Sequence, residues 1–199
     1  MFLRSGWMAA QARGAGESDS EARLSVRLYN YTAVPDQTLA AAEQQAGKVF
    51  RAAHIMVTWV DCPLSENDID KMQPCTHAPG PVRIILIIVP VSKAPLRHLS
   101  GELGFTSYPD TTYVFSDRVG EFSHRELIPE EIVLGEIIAH ELGHVLLGHD
   151  SHSSAGIMRP ILRREDLMGS RAGFFTTPQS KQMRARMKEG IWLRQRERE

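Results

Sequence analysis

The stretch EEIVLGEIIAHELGHVLLGHD, residues 130–150, decides how this chain folds and which chemistry it can carry. Pro129 stands directly before it, and a proline followed by two carboxylates suits the first turn of a helix. Apolar residues then fill most positions as far as Leu147. Gly148 follows, and glycine is a common residue at the end of a helix. The pattern therefore predicts one long, largely buried helix that ends at Leu147.

Two histidines of this helix have the spacing of metal ligands. His140 and His144 are one turn apart, so their imidazoles leave the same face and can share one metal ion. Glu141 stands beside them, placed to reach a bound water rather than the metal. Zinc lowers the pKa of such a water towards ~7, and a nearby carboxylate can take its proton. The pattern predicts a zinc site with Glu141 as the catalytic base, and two unrelated helix histidines are the plainer alternative.

The residues after the helix carry a resemblance to a known family. His149 and His152 follow the helix end, and Gly156, Ile157 and Met158 come a few residues later. Over residues 136–160 the chain resembles the metzincin clan of zinc peptidases, most closely its matrixin-like secreted bacterial members. The resemblance implies a zincin-like domain, a Zn²⁺ cofactor and hydrolysis of peptide bonds. It also implies a methionine turn, in which Met158 lies beneath the metal without binding it.

The chain departs from the clan pattern, His-Glu-x-x-His-x-x-Gly-x-x-His, at two positions. Leu147 stands where the glycine is expected, and Asp150 stands where the third histidine is expected. The third ligand must therefore be reassigned. We choose His152, because it precedes a serine and stands at a plausible distance before the methionine turn. His149, directly after the helix end, and Asp150, whose carboxylate can bind zinc, remain alternatives.

Other residues near the motif have weaker signals. Glu136, one turn before His140, can accept a hydrogen bond from a ligating imidazole, but we prefer to interpret it as a solvated helix residue. No tyrosine closely follows Met158, so a tyrosine ligand or oxyanion donor is not indicated there. The four remaining histidines have no ligand spacing and are expected to be structural or exposed: His54, His77, His98 and His124.

The rest of the chain predicts an α+β fold. Apolar patterns predict strands at 24–31, 55–60, 82–91 and 111–115, and helical spacing predicts a helix at 38–53. Proline and glycine interrupt residues 92–109. A last helix is expected to start near Thr177, with Thr177 as its cap. Together with the resemblance, this order implies a twisted mixed sheet packed on the long active-site helix and a backing helix. The strand at 111–115 is a candidate edge strand for an extended substrate.

The ends of the chain and its two cysteines give indications of the cellular compartment. Residues 1–22 are predicted to be a disordered leader or truncated signal segment, 23–190 the metallopeptidase domain, and 191–199 a charged tail. Cys62 and Cys75 lie in one segment rich in proline and acidic residues. A disulfide between them would suit an exported protein, and two reduced thiols are the alternative. We expect a secreted or extracytoplasmic protein, with a cytoplasmic one as the alternative.

Composition limits the classes of partner. The 199 residues carry a net charge of −1, with basic and acidic side chains nearly balanced. This balance gives no electrostatic reason to expect nucleic acid or an anionic membrane as a partner. No stretch approaches the ~20 apolar residues of a membrane-spanning helix. The expected partner is a peptide or protein substrate, and a monomer is the default state.

The function expected is that of a zinc-dependent endopeptidase in which Glu141 activates a zinc-bound water. A zincin-like domain that binds metal or peptide without turnover is one alternative, disfavoured because such a domain has no structural need for Glu141. A metal-dependent RNA hydrolase is a weaker one, since residues 146–152 faintly resemble bacterial RNA-processing metal hydrolases. Those enzymes normally lack the glutamate, and their third histidine comes earlier than His152.

Overall fold

The computed structural model describes residues 22–32, 34–64, 75–76, 82–95, 101–168 and 173–189. The predicted leader and charged tail lie outside these residues, apart from Ala22, and so do His77 and His98. The strands are Ala22–Asn30 (β1), Ile55–Asp61 (β2), Val82–Val89 (β3), Gly104–Ser107 (β4) and Thr111–Phe115 (β5). The helices are Asp36–Ala52 (α1), Ser116–Glu126 (α2), Glu130–Leu147 (α3), Arg164–Met168 (α4) and Thr177–Glu189 (α5).

The five strands form one mixed sheet in the order β2-β1-β3-β5-β4. Neighbouring strands are parallel except at the end of the sheet, where β4 runs antiparallel to β5. The nearly continuous apolar run of β3 suits its central place between β1 and β5. One face of the strand is packed into the core, and the other is partly exposed. Ile84, Leu86 and Ile88 are fully buried. The predicted α+β class is confirmed, with five strands and five helices in the described part of the chain.

Helix α3 runs through the middle of the helical layer. It packs against α1, α2, α5, β4 and β5, so apolar residues are needed on every side of it. Its closest neighbour is α1. A Cβ placed on Gly135 would lie 2.6 Å from the carbonyl oxygen of Ala42 and 2.6 Å from Cβ of Gln45. The two helices can approach this closely because Gly135 has no side chain at the crossing.

Three elements escaped prediction from the sequence, among them the five-residue helix α4. Strand β4 lies in the segment expected to be broken by proline and glycine, and it has only four residues. Helix α2 begins directly after β5, and only Val119 and Phe122 of it are buried, which leaves little apolar periodicity. The expectation that Thr111–Phe115 is the edge strand is wrong. It pairs with β3 on one side and with β4 on the other, so β4 forms the edge.

Helix α5 starts where the sequence predicts, but its N-cap lies one residue earlier than expected. The helix begins at Thr177, but the capping side chain belongs to Thr176. Its hydroxyl accepts from the Gln179 amide nitrogen at 3.4 Å, and the Thr176 amide nitrogen donates to Gln179 Oε1 at 3.0 Å. This reciprocal pair is a capping box, so Thr176 rather than Thr177 is the N-cap of the helix.

Cys62 and Cys75 form a disulfide, and the alternative of two reduced thiols is therefore wrong. The bridge is tied to the sheet, because Arg27 Nη1 on β1 donates to the carbonyl oxygen of Cys75 at 3.2 Å. Among the helices described, none is both long and apolar enough to cross a membrane.

Candidate metal centre

Three of the candidate ligands meet at the carboxyl-terminal half of α3. Nε2 of His144 lies 3.1 Å from Nε2 of His140 and 3.2 Å from Nε2 of His152. A tetrahedral ion with metal–nitrogen bonds of ~2.0–2.1 Å would separate its nitrogen ligands by about 3.3–3.4 Å. The donor set therefore fits one metal ion, and within the described part of the chain these three residues form a group that could hold one.

His149 and Asp150 do not join this group. Both side chains are exposed. His149 Nδ1 lies 3.3 Å from Asp150 Oδ1, and the His149 ring stacks against the Tyr108 ring, away from the other histidines. His152 reaches the pair on α3 because the chain reverses at Gly148. That residue has φ +105° and ψ 173°, a conformation essentially confined to glycine. The reversal turns the segment after the helix back across its end.

Contacts on the far side of each ring orient the ligands on α3. Nδ1 of His140 lies 2.7 Å from the carbonyl oxygen of Ile157. A carbonyl only accepts, so this nitrogen carries the proton and Nε2 keeps its lone pair for a metal. Nδ1 of His144 lies 3.0 Å from Oγ of Ser151. Such outer contacts fix ring orientation and tautomer in metal sites.

The electrostatic setting keeps both rings on α3 neutral. Burial, followed by the nearby rings of His140 and His152, lowers the pKa of His144 to about 3. Burial also lowers the pKa of His140, although the hydrogen bond to Ile157 opposes the shift. Only a neutral imidazole can bind a cation through its lone pair. At neutral pH these nitrogens are therefore ready to accept a metal ion.

Met158 lies directly beneath the ligand helix and is fully buried. A Cβ on Gly143, between the two ligands of α3, would lie 2.6 Å from Met158 Sδ and 2.8 Å from Phe175 Cε1. The absence of a side chain at Gly143 thus lets the thioether and the Phe175 ring touch the helix. The amide nitrogen of Ser153 donates to the carbonyl oxygen of Met158 at 2.8 Å, which closes the turn carrying His152.

Helix α5 supports the same segment from outside. Nε2 of Gln179 donates to Oγ of Ser153 at 3.1 Å and to the carbonyl oxygen of Ser151 at 3.4 Å. Nη1 of Arg186 donates to the carbonyl oxygen of Leu147, where a cation complements the carboxyl end of a helix. Arg186, on the charge-rich helix α5, therefore has a structural contact at the end of α3.

Glu141 lies in the wall of a cleft beside the three histidines. Its side chain is 7% exposed, and burial raises its pKa to about 8, while a hydrogen bond from Thr106 opposes the rise. A cation bound by the histidines would favour the ionised carboxylate, because a bound ion is the largest local charge in such a site. The group is thus placed to exchange a proton near neutral pH.

The cleft is open to solvent and encloses ≈ 790 Å³, within the range of ligand sites. Helices α2 and α3, strand β4 and the segment after Met158 form its walls. The histidines and Glu141 line one part of it. Its apolar lining includes Leu103, Phe105, Phe122, Ile137, Ile161 and Leu162.

Two residues of the cleft were missed by the sequence analysis. Thr106 contacts Glu141, and the hydroxyl of Tyr108 donates to the carbonyl oxygen of His144 at 3.0 Å. Both precede the motif by more than 30 residues. No local pattern marks them, because their connection to α3 arises only when β4 pairs at the sheet edge.

The preferred interpretation of Glu136 is wrong, since it is 4% exposed rather than solvated. Its carboxylate accepts a hydrogen bond from Nε2 of Gln45 on α1 at 2.8 Å. The face of α3 that carries Glu136 is covered by α1, which helical periodicity alone does not reveal. His54 and His124 are exposed, as expected.

Glu136→Gln should make the protein more stable at alkaline pH. Burial raises the pKa of Glu136 from 4.5 to about 7. Between these values the folded state holds a proton that the unfolded state has released, so the free energy of unfolding falls as pH rises through this window. The amide has no such titration. We expect it to raise the free energy of unfolding by about 1–3 kcal/mol at pH 8 and to leave it nearly unchanged near pH 4.

Denaturant unfolding from pH 4 to 8 measures this difference. Glu131→Gln, a partly exposed position in the first turn of the same helix, controls for the loss of one negative charge. If Glu136→Gln and the wild type showed the same dependence on pH, the burial of an ionisable carboxyl at this position would be contradicted.

Comparison with other proteins adds no family to these observations. No model of a protein family matches the chain, and no curated protein matches it significantly. The fold and the three-histidine group therefore define the class as an α+β protein with a candidate metal centre.

Proposed function

We propose that the protein is a zinc-dependent endopeptidase of the metzincin type. The observation that carries the proposal is the convergence of three histidine nitrogens beside the buried carboxylate of Glu141. Catalytic zinc sites use three protein ligands and keep a fourth position open. His140, His144 and His152 supply nitrogen ligands only, and the exposure of His152 leaves the group accessible from the cleft.

The chemistry follows from the ion and from Glu141. Zinc, when bound, supplies a Lewis acid that polarises a peptide carbonyl and makes water a nucleophile at neutral pH. Glu141 takes the proton of the attacking water and returns it to the leaving amine. Its burial suits both steps, because burial raises the pKa of the carboxyl from 4.5 to about 8, and a catalytic acid or base works best when its pKa lies close to the working pH. Thr106 holds the carboxylate at Oε2, 3.1 Å from its hydroxyl.

The edge of the sheet suggests how a substrate lies. An extended peptide can add to an exposed sheet edge through main-chain hydrogen bonds. Strand β4 forms that edge and lines the cleft next to Glu141. We therefore place an extended peptide along β4, with its scissile bond at the histidines. The disulfide suits an oxidising compartment, which favours a secreted or extracytoplasmic enzyme.

The proposal predicts peptide hydrolysis that depends on zinc. Protein loaded with zinc should cleave casein or a mixture of fluorogenic peptides, and a chelator should abolish the cleavage. One equivalent of zinc per chain should then restore it, because the three histidines form a single site. Product formation is followed by fluorescence and zinc content by atomic absorption. A chain that holds one zinc ion but cleaves no peptide would support the non-catalytic alternative instead.

A further inference from the structure

The carboxylate of Glu141 is held by a side chain from the edge strand. Oγ1 of Thr106 lies 3.1 Å from Oε2 of Glu141 and 2.9 Å from the carbonyl oxygen of the same residue. Within the described part of the chain, Thr106 is the side chain that hydrogen-bonds this carboxylate. A threonine hydroxyl has one proton to donate, so it is shared between the side chain and the backbone of one residue.

Gly104, a second residue of β4, lies against the same Glu141 side chain. Gly104 is two positions before Thr106, so both residues face the same side of the strand. A Cβ on Gly104 would lie 3.0 Å from Cγ and 3.2 Å from Oε1 of Glu141. The strand backbone at Gly104 therefore blocks one side of the carboxylate, and the Thr106 hydroxyl anchors the other oxygen. Together they leave the Glu141 side chain little freedom to rotate.

We propose that Thr106 is a positioning residue that fixes the Glu141 carboxylate in the direction of the three histidines. The catalytic part of this inference rests on the proposed peptidase function, whereas the contact itself does not. Thr106 acts through Glu141 and takes no proton from substrate. Its effect is on orientation, and misplacing a catalytic group by about 1 Å can cost on the order of 10²-fold in rate.

The kinetic test compares two replacements of Thr106. Thr106→Val keeps the shape of the side chain but removes the hydroxyl, and Thr106→Ser keeps the hydroxyl. We expect Thr106→Val to lower kcat about 10- to 100-fold with KM changed less than about threefold. Thr106→Ser should recover most of the loss. Equal kcat in the valine variant and the wild type, or no recovery in the serine variant, would overturn the inference.

Thr112→Val is the matched control. Thr112 pairs with Thr106 across β4 and β5, and its buried hydroxyl makes no hydrogen bond to the described residues. Thr112→Val removes a hydroxyl from the residue that pairs with Thr106 and leaves the hydrogen bond between Thr106 and Glu141 in place. We expect an unchanged kcat and an equal or higher Tm, since an unsatisfied buried hydroxyl is lost. A fall in kcat as large as that of Thr106→Val would indicate a general effect of the sheet edge and overturn the inference.

A second measurement tests the hydrogen bond between Thr106 and Glu141 without any need for catalytic activity. Tm is compared for metal-free wild type, Thr106→Val, Glu141→Ala and the double variant. If the hydroxyl binds the carboxylate, the two single shifts do not add in the double variant. Additive shifts would overturn the inference. A zinc-loaded wild type that cleaves no peptide would refute the proposed function, and the thermal cycle would still decide whether Thr106 holds Glu141.

Discussion

Glu141→Gln should lower kcat for peptide hydrolysis by about 10²- to 10⁴-fold, the range typical of losing a general acid–base group. The amide keeps the volume of the carboxylate but cannot take the proton of water or return it to the leaving amine. The three histidines are untouched, so the variant should retain one zinc ion per chain. Steady-state kinetics on a fluorogenic peptide, together with zinc analysis of the same sample, measures both quantities.

The choice of control makes this result specific. Glu136→Gln replaces another buried glutamate of the same helix, five residues earlier, whose hydrogen bond comes from Gln45 on α1. It should leave kcat near the wild-type value. If Glu141→Gln kept wild-type kcat with zinc bound, Glu141 would not be the base and the proposed mechanism would fail.

His152→Ala should weaken zinc binding far more than His149→Ala. Nε2 of His152 lies 3.2 Å from that of His144, whereas the His149 ring contacts Asp150 and the Tyr108 ring outside the group. Loss of an outer-shell partner costs about 10- to 100-fold in metal affinity, and loss of a direct ligand should exceed that range. His149→Ala should change the affinity by less than about threefold, below the cost of even an outer-shell partner.

Competition with a chromophoric chelator at pH 7.5 gives both dissociation constants. Asp150→Asn serves as a further control, because Asp150 occupies the position at which the clan pattern has its third histidine. Zinc retained in His152→Ala but lost in His149→Ala would reverse the assignment. A loss confined to Asp150→Asn would favour a carboxylate ligand.

Much of the ligand helix is readable from the sequence. Apolar residues on every face, carboxylates in the first turn and a glycine after Leu147 are local features, and they predicted α3 as observed. The spacing of His140 and His144 follows from helical geometry alone, and the structure brings their Nε2 atoms within 3.1 Å. Nothing beyond the helix is needed to predict that pair.

Local sequence patterns do not identify the third candidate ligand. His149, Asp150 and His152 all follow the helix within a few residues, and spacing does not decide which of them turns back. The conformation of Gly148, the turn closed between Ser153 and Met158 and the support from Gln179 together bring His152 to the pair. The first two are backbone conformations that spacing does not encode, and the third joins the segment to a helix residue that comes 26 residues later.

By itself, the sequence determined the long buried helix, two of the candidate ligands and the adjacent glutamate, because these are encoded by periodicity within one element. It also determined the α+β class, through the order of several such elements. Only the tertiary structure decided which strand forms the sheet edge and what surrounds Glu141. Strand order depends on packing between elements, and four-residue β4 has too little pattern to reveal its place. Thr106 reaches Glu141 only because β4 pairs antiparallel to β5 and lies against α3.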